Sequence, residues 1–287
     1  MRTGAGPLDL DGLRRRVDAD LRGRLREVRE RLATLAPGST LLVDEVVRLL
    51  DAGGKRMRPV LCLLGHAAAG GSVEDALPAA AGLELFHTFA LIHDDVMDEE
   101  DERRGEPTTH RQLAKSEPGG ERFGRSAAIL VGDLALALSL DLVLACRVPA
   151  ERRLAAAARF RDMTVATAAG QLLDLSGGGD RTLVASLKTA AYTAEAPLAI
   201  GAELAGASEP TLDALAAFGR SLGVAFQLFD DVADGDAPPG ASERACRLLD
   251  EATGALATSP IDVAAADALR SVAARLRRGA SEAGDEG

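Results

Sequence analysis

Leu91-Ile-His-Asp-Asp-Val-Met-Asp98 places three carboxylates within five residues. On a helix, residues three and four apart share a face, so Asp94 and Asp98 stack one above the other and Asp95 reaches Asp98 from the side. Each close pair of like charges costs roughly 1 kcal/mol in water and about 4 kcal/mol at the effective dielectric of a protein surface, so an enclosed cluster calls for a cation. Carboxylate oxygens that leave several metal waters in place suit Mg²⁺ bridging to a phosphate, whereas Zn²⁺ would call for His or Cys. One such stretch alone also suits a solvated acidic helix end. A second copy weighs against that alternative: Phe226-Gln-Leu-Phe-Asp-Asp-Val-Ala-Asp234 repeats the spacing at Asp230, Asp231 and Asp234, again after an apolar helical run. Two matching groups far apart in sequence imply two helices facing each other across one metal-filled mouth.

Working outward, the chain of 287 residues is long enough to bury a substantial core. Hydrophobic residues make up 47%, with one Tyr and no Trp. Ala and Leu dominate, which favours packed helices over sheets, since strands favour β-branched and aromatic residues. A formal charge of −11 excludes nucleic acid as the expected partner, because its phosphates would be repelled. Cys62, Cys146 and Cys246 are odd in number and lie in apolar helical contexts, as buried free thiols do. No charged leader and no uncharged apolar run long enough to span a bilayer is apparent, so a cytoplasmic location and no transmembrane segment are expected.

Met1 to Pro7 reads as a flexible tail, and residues 8–287 as a single all-α domain. Leu10, Leu13, Val17, Leu21, Leu25, Val28 and Leu32 recur at steps of three and four, an amphipathic helix that Pro37-Gly38 ends. A second helix over Thr40 to Leu50 runs into Gly53-Gly-Lys-Arg-Met-Arg-Pro59, where paired glycines allow close approach to a ligand and three cations follow within four positions. Ser72 and Asp75 resemble a capping box, and Ala76 to Glu100 reads as one long helix with Pro78 in its first turn. Arg103 and Arg104 lie just beyond the carboxylates, with planar guanidinium forks matched to phosphate. Further helices are predicted from Ser126 to Cys146, Ala150 to Leu175, Arg181 to Leu204 with a break at Pro197, and Pro210 to Asp234. No strand pattern is present. Gln171, Asp174, Lys188 and Gln227 are polar on otherwise apolar stretches, where an unpaired group is costly. Lys188 and Gln227 are read as ligand contacts.

Gly53 to Pro59, Leu91 to Asp98 with Arg103-Arg-Gly105, Lys188-Thr189 and Phe226 to Asp234 occur in the order of the polyprenyl synthetase family of trans-isoprenyl diphosphate synthases. The chain resembles that family over roughly residues 40 to 236. The resemblance implies an all-α isoprenoid synthase bundle with a central cavity. It also implies Mg²⁺-dependent head-to-tail condensation of isopentenyl diphosphate with an allylic diphosphate (dimethylallyl, geranyl or farnesyl), carried out by a homodimer. By the same resemblance, Asp94, Asp95, Asp98, Asp230, Asp231 and Asp234 would hold three Mg²⁺ ions once diphosphate is bound. Lys55, Arg56, His87 and Arg104 would take the isopentenyl diphosphate. Arg103, Lys188 and Gln227 would reach the allylic diphosphate, with Thr189 shaping the path of the cation. His87 lies seven positions before Asp94, on nearly the same helical face, whereas His93 reads as structural.

The chain departs from the family after Asp236. The usual late lysines are absent, Lys188 is the last lysine of the sequence, and Arg244 or Arg247 is expected to substitute. Phe89, Phe86 and Leu83, at steps of three before the acidic stretch, form the expected floor for the growing chain. A bulky residue five positions before Asp94 resembles short-chain synthases that stop at geranylgeranyl diphosphate, with farnesyl diphosphate as the alternative. A terpene cyclase or a prenyltransferase to another acceptor on the same scaffold would not need the isopentenyl site. A regulatory subunit would tolerate loss of metal ligands, and none is lost here.

Overall fold

The computed structural model describes residues 8–103, 105–116, 119–177, 186–235 and 237–284, with side chains at all of these except 186, 188–191 and 281–284. Residues 1–7, expected as a flexible tail, lie outside the described residues. Helix α1 (Leu10–Leu35) begins where the Asp9 carboxylate accepts the Asp11 N–H, supplying a partner to one of the open amides of the first turn. It buries the expected stripe of Leu10, Leu13, Val17, Leu21 and Leu25. Then come α2 (Thr40–Asp51), α3 (Met57–Ala68), α4 (Val73–Met97), α5 (Thr109–Ala114), α6 (Glu121–Leu144) and α7 (Ala150–Leu175). A π-helical segment (Ser186–Glu195) continues directly into α8 (Ala196–Ala205), followed by α9 (Glu209–Ala233), α10 (Ala241–Ala255) and α11 (Val263–Gly284).

Several boundaries differ from expectation for identifiable reasons. Helix α4 starts at Val73 and stops at Met97, three residues before Glu100. The capping box does not form, because the Ser72 hydroxyl donates to Glu74 at 2.9 Å; Glu74 and Asp75 still occupy the first turn, where the helix dipole favours acid. The stop coincides with Glu99, whose φ of 57° is left-handed and cannot continue the helix. Helix α6 spans Glu121–Leu144 in place of Ser126 to Cys146. The break expected at Pro197 is a change from π to α winding, with Pro197 the second residue of α8. Two strands of two residues each, β1 (Glu102–Arg103) and β2 (Glu106–Pro107), pair antiparallel between α4 and α5.

The core runs through the middle of the bundle, where Leu61, Leu63, Leu64, Leu83, Leu85, Phe86 and Phe218 are fully buried. Each such side chain contributes about 1.5 to 3 kcal/mol of transfer free energy. Helices α3 and α8 pack backbone against backbone: a Cβ on Gly65 would collide with the Leu198 carbonyl, and one on Gly201 with the Cys62 carbonyl. Cys62 and Cys146 are buried free thiols and Cys246 is half-buried. Burial pushes the Cys146 thiol up to about 11. By length and composition alone, α4, α6 and α9 are apolar enough to cross a membrane, although charged residues interrupt each of them, so none is an uncharged run. Helix α6 stands out, with 44% of its apolar window buried and Ile129, Leu130, Leu140 and Leu144 exposed.

Candidate active site

The two acidic stretches finish α4 and α9, and they finish them alike. Asp98 and Asp234 are the C-capping residues, and each returns its N–H to the carbonyl one turn back, on Asp94 (2.8 Å) and Asp230 (3.0 Å). A helix C-terminus carries partial negative charge, so clustered carboxylates there are doubly in need of a cation. Asp94, Asp230 and Asp234 line one cavity of about 1150 Å³. The two helix ends therefore meet at a shared opening.

The middle carboxylates behave differently from their neighbours. Asp95 is 1% exposed and takes Arg103 Nε at 2.7 Å and Nη2 at 2.5 Å on a single oxygen. Burial pushes its pKa above the usual carboxylate value, against the lowering effect of Arg103. Arg103 arrives from the short hairpin, which turns at Gly105 (φ 77°). The hairpin base is closed where the Thr108 hydroxyl donates to the Glu100 carbonyl at 2.8 Å. In the second stretch, Gln227 Nε2 donates to Asp231 at 2.7 Å, one turn away on the same helix. Asp95 and Asp231 are thus committed to protein partners and do not line the cavity. Asp98 is exposed one turn beyond Asp94 and also lies off the cavity wall.

Basic residues share the cavity with the acids. Lys55, Arg58, His87 and Arg103 line the cavity, with Lys55 Nζ 3.9 Å from Asp230 and 5.2 Å above the Phe226 ring. Burial pushes Asp230 upward in pKa, with Lys55 opposing. Arg56 lines the same cavity but is tied into the protein. It is 8% exposed, and each guanidinium nitrogen donates to protein: Nε to Asp18 (2.8 Å), Nη1 to Glu84 (2.8 Å) and Nη2 to the Leu50 carbonyl (2.7 Å). Arg58, which sequence reasoning passed over, has a buried Nε with no acceptor among the described residues. Both belonged to one run of cations, and burial by α1 and α4 separates them. Arg14, Arg48 and Gln171 also line the cavity.

Of the expected floor, Phe89 lines the cavity, while Phe86 and Leu83 are buried behind it. Phe86 packs on Phe89 (5.4 Å), Phe160 (5.4 Å) and Tyr192 (5.8 Å). His93, read as structural, bonds the Ile129 carbonyl at 3.1 Å and also lines the cavity. Arg104 lies outside the described residues, as do the side chains of Lys188 and Thr189, whose backbone belongs to the π segment. Arg244 and Arg247, expected to substitute for the late lysines, are exposed on α10 and do not line the cavity.

Among the described residues no three His, Cys, Asp or Glu side chains close into a metal site by themselves. The donor set facing the cavity, oxygen-only and open to solvent, nevertheless fits Mg²⁺, which keeps waters and takes phosphate oxygens alongside one or two carboxylates.

An all-α bundle in which two acidic helix ends and several basic residues line one cavity defines the class of site. The chain belongs to the polyprenyl synthetase family, whose model matches residues 40–252. It is 38% identical over 208 residues to a geranylgeranyl diphosphate synthase of Cyanophora paradoxa, covering 68% of this chain and 66% of that protein. It is 38% identical over 215 residues to a short chain isoprenyl diphosphate synthase of Methanothermobacter thermautotrophicus, covering 72% and 62%. The match thus spans less than two thirds of these relatives' own lengths. Among solved structures, the geranylgeranyl pyrophosphate synthase of Corynebacterium glutamicum complexed with isoprenyl diphosphate and magnesium superposes with a TM-score of 0.84 at 28% identity, covering 94% of this chain and 99% of that one.

Proposed function

We propose that the protein condenses isopentenyl diphosphate with an allylic diphosphate to give a short-chain polyprenyl diphosphate. The observation that carries this reading is one cavity that holds both the acids at the ends of α4 and α9 and more phosphate-binding groups than one diphosphate needs: Lys55, Arg58, His87 and Arg103. A terpene cyclase ionises one diphosphate and leaves the groups on and just before α3 no task.

Asp94 and Asp98, with Asp230 and Asp234, would hold Mg²⁺, three ions when diphosphate is bound. Bound Mg²⁺ supplies charge neutralisation to the departing allylic diphosphate. Arg103 lies 3.9 Å from Asp94, and with Lys188 and Gln227 it would orient that diphosphate. Lys55, Arg58, His87 and Arg104 would fix isopentenyl diphosphate with its double bond over the allylic carbon. The allylic C–O bond breaks, the double bond attacks the carbocation, and a proton passes to the released diphosphate. Alignment and exclusion of water are the protein's contributions. Thr189 would shape the cation's path.

Phe89 forms the near floor and the main product is geranylgeranyl diphosphate, with Phe86 and Leu83 a second layer. The exposed apolar face of α6 supports a homodimer, since monomers rarely leave contiguous apolar patches in water. The test is incubation of purified protein with Mg²⁺, isopentenyl diphosphate and each allylic diphosphate in turn, with chromatography of diphosphate and hydrocarbon products. A twenty-carbon diphosphate is the expected product, lengthening in Phe89→Ala. A cyclised hydrocarbon formed without isopentenyl diphosphate would replace this reading with the cyclase.

A further inference from the structure

The buried face of Arg58 bears on how the second substrate is held. Arg58 is 8% exposed on α3. Its Nη2 donates to Thr193 Oγ1 at 2.9 Å, and its Cζ sits 4.3 Å above the centroid of the Tyr192 ring. Thr193 is fully buried and Tyr192 nearly so. Stacking on a ring uses the face of a guanidinium and leaves its edge of N–H donors available. Thr193 takes one of these donors, and Nε is buried with no acceptor among the described residues. A buried, unsatisfied donor is costly, and a phosphate oxygen is the acceptor that relieves it most strongly.

We propose that Tyr192 and Thr193 are positioning residues that hold Arg58, face and edge, as a preset clamp for the diphosphate of isopentenyl diphosphate. The inference rests on the two-substrate reading above. The Tyr192 ring centroid also lies 6.2 Å from that of His87, another residue of the same wall. Both positioning residues belong to the π segment that carries the Lys188 backbone four residues earlier. The segment therefore braces the side of the cavity that Arg58 and His87 line. π turns are frequent at functional sites.

The test uses a property of the sequence. Tyr192 is the only tyrosine and there is no tryptophan, so the protein's intrinsic ultraviolet emission reports this wall directly. Titration of the parent with isopentenyl diphosphate, without allylic substrate, should give a saturable change in that emission. Thr193→Val, which keeps shape and loses the acceptor, should weaken this affinity about tenfold, and Thr193→Ser should restore it. In turnover assays, Thr193→Val and Tyr192→Leu should raise the KM for isopentenyl diphosphate by a similar factor while kcat and the allylic KM hold. Tyr192→Phe, which keeps the ring, should stay close to the parent. Helical circular dichroism confirms that each variant is folded, and the Ser and Phe variants carry the comparison where Val or Leu is not. A parental isopentenyl KM in both Thr193→Val and Tyr192→Leu, with the parent elongating normally, would overturn the clamp alone. A parent that forms no isopentenyl-dependent product overturns the two-substrate reading, and the clamp with it.

Discussion

The acidic ends of α4 and α9 share a spacing and differ in how the middle carboxylate is spent. At the end of α4, Asp95 is buried and locked by an arginine delivered from a separate hairpin. At the end of α9, Asp231 is half-buried and held by Gln227 of the same helix. One end is therefore fixed by tertiary structure and the other by local geometry. Asp94, Asp230 and Asp234 line the cavity, while Asp98 lies off its wall. What repeats is a middle carboxylate committed to a protein partner.

The largest expected effect that separates the two ends is on stability. Asp95→Ala leaves Arg103 partly buried without its partner and should cost about 3 kcal/mol in urea unfolding. Asp231→Ala loses one half-buried hydrogen bond and should cost about 1 kcal/mol or less. Equal losses would mean that the middle carboxylates play one role and that the asymmetry has no energetic weight.

A smaller effect of opposite sign is expected at Asp230. Its carboxylate sits at a helix C-terminus near Asp231 and Asp234, and burial raises its pKa. Asp230→Asn should therefore stabilise the metal-free protein by roughly 0.5 kcal/mol at neutral pH. Because the folded pKa lies above the ordinary aspartate value, the native state binds the extra proton, and the parent gains stability as pH falls through the folded value. The advantage of the variant should be complete above that value and gone below the unfolded one. Thermal unfolding of both proteins across that range, without metal, checks this; an Asp230→Asn protein less stable than its parent at neutral pH would make Asp230 a structural acid like Asp95.

Periodicity and spacing made much of this legible. The α1 stripe, the boundaries of α7 and the two acid-bearing helices follow from steps of three and four and from Pro and Gly stops. Spacing places side chains on a helical face but says nothing of what another element brings to that face. Asp95 is diverted by Arg103, which arrives through a hairpin of two-residue strands too short to leave a pattern. Arg56 is tied to Asp18 and Glu84, both far away in sequence, and the neighbouring Arg58 lines the same cavity. The cations on α10 looked available because nothing in the sequence fixes where α10 lies. The apolar length of α6 went unread because scattered charges interrupt it in sequence, while its exposed face is visible only once the bundle is assembled.

The central claim is that the two helix ends form opposite sides of one metal site in which the first carboxylate of each is a ligand and the middle one is not. Titration calorimetry of Mg²⁺ binding in the presence of inorganic pyrophosphate tests it most directly, on the parent and on Asp94→Asn, Asp230→Asn and Asp231→Asn. The account predicts that Asp94→Asn and Asp230→Asn each weaken pyrophosphate-dependent Mg²⁺ binding at least about tenfold, while Asp231→Asn stays within about threefold of the parent. Parental Mg²⁺ affinity in Asp94→Asn or Asp230→Asn, or a loss in Asp231→Asn as large as theirs, would contradict it.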